Sequence, residues 1–96
     1  MLQLKKEERI LLQRKANFRF LGSKKAVGTL FITNLRLLFF PLLHKRMVEI
    51  YLDCIKTVEL LEGWTKKIKI ITEKKECVIF VRGAESIINL INAIMQ

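Results

Sequence analysis

The sequence predicts one mainly β domain that ends in a single α-helix. The chain has 96 residues, which is close to the usual size of one domain. Between residues 9 and 82, short apolar or alternating runs are separated by turn residues, a pattern typical of β-strands. After Gly83 the apolar residues recur at helical spacing instead. Successive strands followed by one helix favour two packed antiparallel sheets, or a partly open barrel, covered by that helix.

Seven strands are expected in succession. The first is long, and the second and third are joined by a tight turn at Thr33-Asn34. Pro41 cannot donate a backbone hydrogen bond to a central ladder, so it marks the end of the third strand. A corner at Asp53-Cys54 separates the fourth strand from the fifth. The predicted strands cover residues 10–20, 26–33, 36–40, 47–52, 55–61, 66–72 and 77–82.

The final helix is predicted from an apolar stripe and from its first turn. Glu85 lies in that turn, where the helix dipole favours a negative charge. Asn89 and Asn92 fall on the opposite, polar face. The apolar stripe consists of Ala84, Ile87, Leu90, Ile91 and Ile94.

The charge balance is the most informative property of the composition. Eighteen Lys and Arg against nine Asp and Glu give a net charge of +9, with +6 in residues 1–25 and +3 in residues 63–96. The longest apolar run, residues 37–43, has seven residues, whereas a membrane span needs about 20. The first residues also lack the apolar stretch of a signal peptide. A cytoplasmic location is therefore expected, with peripheral attachment at the inner face of the membrane as a further option.

No catalytic, metal or cofactor site is predicted. His44 and two distant thiols, Cys54 and Cys77, do not form a metal-binding pattern, and the thiols are expected to be reduced and mostly buried. The four glycines are isolated, so they form no phosphate-binding loop, and neither serine has nucleophile-elbow glycines around it. The expected function is therefore binding rather than catalysis.

Two segments resemble a known family. Residues 26–40 read AVGTLFITNLRLLFF and resemble the GRAM-domain signature, in which a glycine precedes an apolar strand ending in Thr-Asn and Arg-Leu-x-Phe follows the turn. Residues 48–58 read VEIYLDCIKTV and look like the family's next element, I-x-L-x-x-I-x-x-V. The resemblance covers about residues 8–95, a single domain within 1–96, and is closest to small bacterial GRAM-domain proteins.

This resemblance implies a pleckstrin-homology-like barrel: seven antiparallel strands in two near-orthogonal sheets, capped by the C-terminal helix. In such folds the loops joining strands 1–2, 3–4 and 6–7 crowd around the open end of the barrel. Those loops would form a basic site for an anionic lipid or another phosphate-bearing ligand, each Lys or Arg contributing on the order of 1 kcal/mol near an anionic membrane. The candidate residues are Lys24, Lys25, His44, Lys45, Arg46, Lys74 and Lys75.

An apolar tip accompanies these basic residues. Phe40, Leu42 and Leu43 flank Pro41 in a loop where bacterial relatives usually turn polar. Next to basic residues, an exposed apolar tip could insert among lipid headgroups or form a protein interface.

Other interpretations of the same residues stay open at this point. Basic residues in turns are often ordinary solvated side chains. The apolar strand 36–43 could bind a protein partner or a second copy of the chain. Nucleic acid is a less favoured partner, since the phenylalanines mostly occupy apolar runs. Trp64 is expected to cover the core, with stacking on a ligand as the alternative.

Overall fold

The computed structural model describes residues 2–43 and 46–96. Within these residues, seven strands and one helix follow each other in the predicted order, so the predicted fold class is confirmed. A 3-10 turn, Leu52–Cys54, forms the corner before the fifth strand. The elements are β1 (Ile10–Phe20), β2 (Ala26–Thr33), β3 (Arg36–Pro41), β4 (Val48–Tyr51), β5 (Ile55–Leu61), β6 (Lys67–Thr72), β7 (Glu76–Val81) and α1 (Ala84–Met95).

All seven strands belong to one antiparallel sheet with the order β4-β3-β2-β1-β7-β6-β5. The sequence predicted two sheets, whereas the structure has one continuous sheet of seven strands. The sheet is curled: β3 and β4 on one side and β5 and β6 on the other contribute residues to the same core cluster. β4 and β5 are the two edge strands, although they are consecutive in the chain.

The core lies on the inner face of the curled sheet. Side chains alternate along β2 and β7, so every second residue is buried against the core. The helix α1 packs against β5, β6 and the 3-10 turn, and it closes the core with the predicted apolar stripe. Its fully buried residues are Ala84, Ile87 and Ile91. The opposite, outer face of the sheet carries Lys15, Asn17, Arg19, Lys67 and Phe80, which are exposed or half-buried.

Two sequence-based predictions about single residues were wrong. Trp64 does not cover the core: it lies in the turn between β5 and β6, and its relative exposure is 102%. Cys54 is exposed at the end of the 3-10 turn, whereas Cys77 is buried as expected. Burial raises the pKa of the Cys77 thiol to about 12. In the described part of the chain, no helix is long and apolar enough to cross a membrane.

Candidate ligand-binding surface

Three connections lie at the same end of the sheet. β1, β3 and β6 run in the same direction, because each is separated from the others by an odd number of antiparallel strands. The described residues of the segments that follow them, 21–25, 42–43, 46–47 and 73–75, therefore lie at the same end of the sheet. We call this set of connections the loop end.

Two of these connections are in direct contact. The Leu21 backbone N–H donates a hydrogen bond to the Glu76 carbonyl oxygen at 3.0 Å. The Lys75 ammonium lies 5.3 Å from the centre of the Phe20 ring. A surface depression of about 630 Å³ lies between the two connections, lined by Phe20, Leu21, Ser23 and residues 71–76. The β1–β2 and β6–β7 connections thus form one continuous surface.

The described basic candidates are all exposed at this end. They are Lys24, Lys25, Arg46, Lys74 and Lys75. Among residues 2–43 and 46–96, none of the ion pairs involves any of these five side chains. His44 and Lys45, also predicted as ligand-binding, lie outside the described residues. Lys25 differs from the others in its direction, because its ammonium lies 4.0 Å from the centre of the Phe80 ring on the outer face.

The apolar tip is formed by leucines rather than by Phe40. Leu42 and Leu43 are 76% and 89% exposed, and the Leu42 N–H donates to the Val27 carbonyl oxygen at 2.8 Å, which holds the base of the loop. Phe40 is half-buried, with its ring edge-to-face against Phe31 at 5.4 Å. It therefore supports the loop from the outer face of β3.

Leu21 is a third exposed leucine at the loop end, and the sequence reasoning missed it. Its exposure is 75%, and it precedes Gly22, whose φ of 84° is a left-handed conformation that favours glycine. A large apolar residue in a turn, beside a glycine and two lysines, was the available signal. The loop end therefore combines unpaired cations with three solvent-exposed leucines.

The apolar strand itself offers little free surface. Leu37, Leu38 and Phe39 are all buried, with exposures of at most 3%. Arg36, at the start of the same strand, is also buried, and its guanidinium donates to the Gln3 carbonyl oxygen at 2.9 Å. Of the apolar residues in the segment 36–43, only Leu42 and Leu43 are therefore largely exposed.

Several solved structures share this fold. No protein-family model and no curated protein matches the sequence. The Vps36 N-terminal PH domain is similar over 97% of this chain and 86% of its own length, with a TM-score of 0.75 and 12% identity. The chain has a pleckstrin-homology-like fold.

Two further structures agree with this assignment. The C-terminal domain of an unknown protein from Leishmania infantum has a TM-score of 0.74 at 21% identity, over 93% of this chain and 86% of that one. A chain of the 8S snRNP assembly intermediate has a TM-score of 0.71 at 15% identity, over 90% and 78%. These likenesses establish the pleckstrin-homology-like fold, and the more specific GRAM resemblance stays a prediction.

Proposed function

We propose that this chain is a non-catalytic binding module that docks on anionic membranes through its loop end. The observation that carries the proposal is the juxtaposition of unpaired cations and exposed leucines on adjacent connections of one sheet end. The pleckstrin-homology-like fold supports a binding role, since its structural neighbours include a PH domain. In this proposal the protein is cytoplasmic and attaches peripherally to the inner face of the membrane.

Electrostatics and burial act together in this arrangement. Each Lys or Arg close to an anionic bilayer contributes on the order of 1 kcal/mol, and this contribution falls off within a Debye length. Moving a leucine side chain out of water contributes about 0.8 kcal/mol of favourable free energy for each CH₂ group that is buried. The five described cations attract the surface, and Leu21, Leu42 and Leu43 then enter the headgroup region.

Vesicle co-sedimentation tests this proposal. The wild-type protein is expected to pellet with vesicles containing phosphatidylglycerol and not with phosphatidylcholine vesicles, and about 500 mM salt should release it. A loop-end variant, Lys24→Gln/Arg46→Gln/Lys74→Gln, should lose about 100-fold in partitioning, because three charges contribute about 1 kcal/mol each. Circular dichroism should show that the variant is folded.

A charge-matched control separates the loop end from net charge alone. Lys15→Gln/Arg19→Gln/Lys67→Gln removes the same number of charges, three, from the outer face of the sheet. This outer-face variant should keep most of its vesicle binding. Equal losses in both variants would contradict docking through the loop end, and salt-independent sedimentation without vesicles would indicate apolar self-association instead.

A further inference from the structure

The outer face of the sheet carries a second basic cluster, which shares only Lys25 with the loop end. Three cationic groups surround the Phe80 ring: the Lys25 ammonium at 4.0 Å from its centre, the Lys67 ammonium at 5.8 Å and the Arg19 guanidinium carbon at 6.0 Å. The register produces this arrangement, since Phe80 is paired with Asn17 on β1 and with Lys67 on β6. We call these four residues, Arg19, Lys25, Lys67 and Phe80, the Phe80 cluster.

The cations of this cluster have no counter-charge. Within residues 2–43 and 46–96, no carboxylate forms an ion pair with Arg19, Lys25 or Lys67. The contrast with Lys69 is direct, because Lys69 lies two residues along β6 and pairs with Glu76 at 2.6 Å. Cation–π contact with the ring compensates only partly for three like charges held together. An anionic ligand would complete the neutralisation.

The basic surface continues beyond the cluster as an elongated path. A depression of about 690 Å³ adjoins Phe80, and Lys15, Asn17 and Arg82 are among the residues that line it. Lys15 and Arg19 lie on the same face of β1, four residues and thus about 13 Å apart. The cations therefore follow a line across the side of the sheet, whereas the exposed leucines lie at its loop end.

We propose that this outer face binds a single-stranded nucleic acid, chiefly through its phosphate backbone. A nucleic-acid strand carries a negative charge at every nucleotide, so it can neutralise successive cations along the path. The amide of Asn17 and the half-exposed ring of Phe80 offer polar and stacking contacts to bases. Apolar runs in the sequence made nucleic acid a less favoured partner, but the fold places Phe80 among cations on the outer face.

Fluorescence anisotropy with a labelled oligouridine of about 15 nucleotides tests this inference. At about 50 mM salt the wild-type protein is expected to bind with a Kd in the micromolar range, since nonspecific binding is strongest at low salt. The outer-face variant Lys15→Gln/Arg19→Gln/Lys67→Gln should bind at least about 10-fold more weakly. The plot of the logarithm of the association constant against the logarithm of the salt concentration has a negative slope. In the variant this slope should be shallower by about 2, because each lost phosphate contact removes about 0.7.

Matched variants identify where the oligonucleotide binds. The loop-end variant, which loses the same number of charges, should keep its affinity within about 3-fold. On β6, Lys67→Gln should weaken binding more than Lys69→Gln, since Glu76 already neutralises Lys69. Equal losses in the two triple variants, or no binding at low salt, would overturn the proposal.

An acidic polypeptide is the competing occupant of this face. Poly-glutamate of matched charge should displace the oligonucleotide at least about 10-fold less effectively than unlabelled oligouridine, because it offers no base for Phe80. Equal displacement would overturn the nucleic-acid assignment in favour of an acidic protein segment. The vesicle assay remains independent, since the outer-face variant should still pellet with anionic vesicles.

Discussion

Replacing Arg36 by methionine is expected to lower the free energy of unfolding by about 3–5 kcal/mol, because it leaves a buried carboxylate without its partner. The side chains of Arg36 and Glu8 are 6% and 0% exposed. The guanidinium donates to both Glu8 oxygens, from Nε at 2.7 Å and from Nη2 at 2.9 Å. It also bonds Glu49 and the Gln3 carbonyl oxygen, so the pair fastens the N-terminal segment to β3.

Because of the Glu8–Arg36 pair, the folded protein is expected to lose stability in acid. Hydrogen bonding to Arg36 lowers the pKa of Glu8 from 4.5 to about 2, against the opposing effect of burial. The folded state therefore holds this proton less tightly than the unfolded chain. The stabilisation is complete above about pH 4.5 and is lost as the pH falls towards about 2.

Denaturant unfolding at several pH values checks both statements. Wild-type stability should fall between about pH 5 and pH 2, and the fall should be smaller in Glu8→Gln, which has no carboxylate to titrate. Glu8→Gln/Arg36→Met should be more stable than Arg36→Met alone, since no unpaired buried charge remains. A loss below about 1 kcal/mol in Arg36→Met would contradict the structural role given to this pair.

Replacing Gly28 by alanine is the second change with a large expected effect. A Cβ at this position would lie 2.2 Å from the Phe40 carbonyl oxygen and 2.8 Å from the Phe39 ring. Since the nearest atom belongs to the backbone of the neighbouring strand, β2 and β3 would have to separate locally. We expect a loss of about 3 kcal/mol in the free energy of unfolding, at the upper end of overpacking effects.

Gly63→Ala provides the matched control for this prediction. The nearest atom to a Cβ there is the Lys67 ammonium nitrogen at 4.0 Å, and the position is exposed. Denaturant unfolding should place this variant within about 0.5 kcal/mol of the wild type. Similar stabilities for Gly28→Ala and Gly63→Ala would show that the close approach between β2 and β3 does not constrain residue 28.

The sequence predicted the fold well because the elements leave local signals. The alternation of β-strands and the change of period after Gly83 fixed the bounds of β1, β2 and β5, and placed the start of α1. The sequence did not predict the pairing of Glu8 with Arg36, which are 28 residues apart and meet only through the tertiary fold. Arg36 lies in the segment that resembles the GRAM signature, and in this structure its side chain holds the N-terminal segment.

The candidate site was predicted less completely than the fold. Strand order places the β1–β2, β3–β4 and β6–β7 connections at one end of the sheet, so a resemblance to a known topology was enough to predict this common end. The binding of a ligand there stays a prediction. Local periodicity does not show whether a side chain in a turn is exposed. The exposure of Leu21 was therefore not predicted, and Trp64 was wrongly predicted to cover the core. The direction of Lys25 depends on Phe80, which lies 55 residues away and reaches it through the β1–β7 pairing.

Position-specific fluorescence tests docking through the loop end most directly. An environment-sensitive thiol dye at Leu43→Cys, in a Cys54→Ser background, would report from the loop end, since Cys77 is buried. Trp64, the single tryptophan, reports from the opposite end, because the β5–β6 and β6–β7 turns lie at opposite ends of β6. With anionic vesicles, the dye emission should shift to the blue and the Trp64 emission should stay unchanged. A shift of Trp64 with no change in the dye would contradict docking through the loop end.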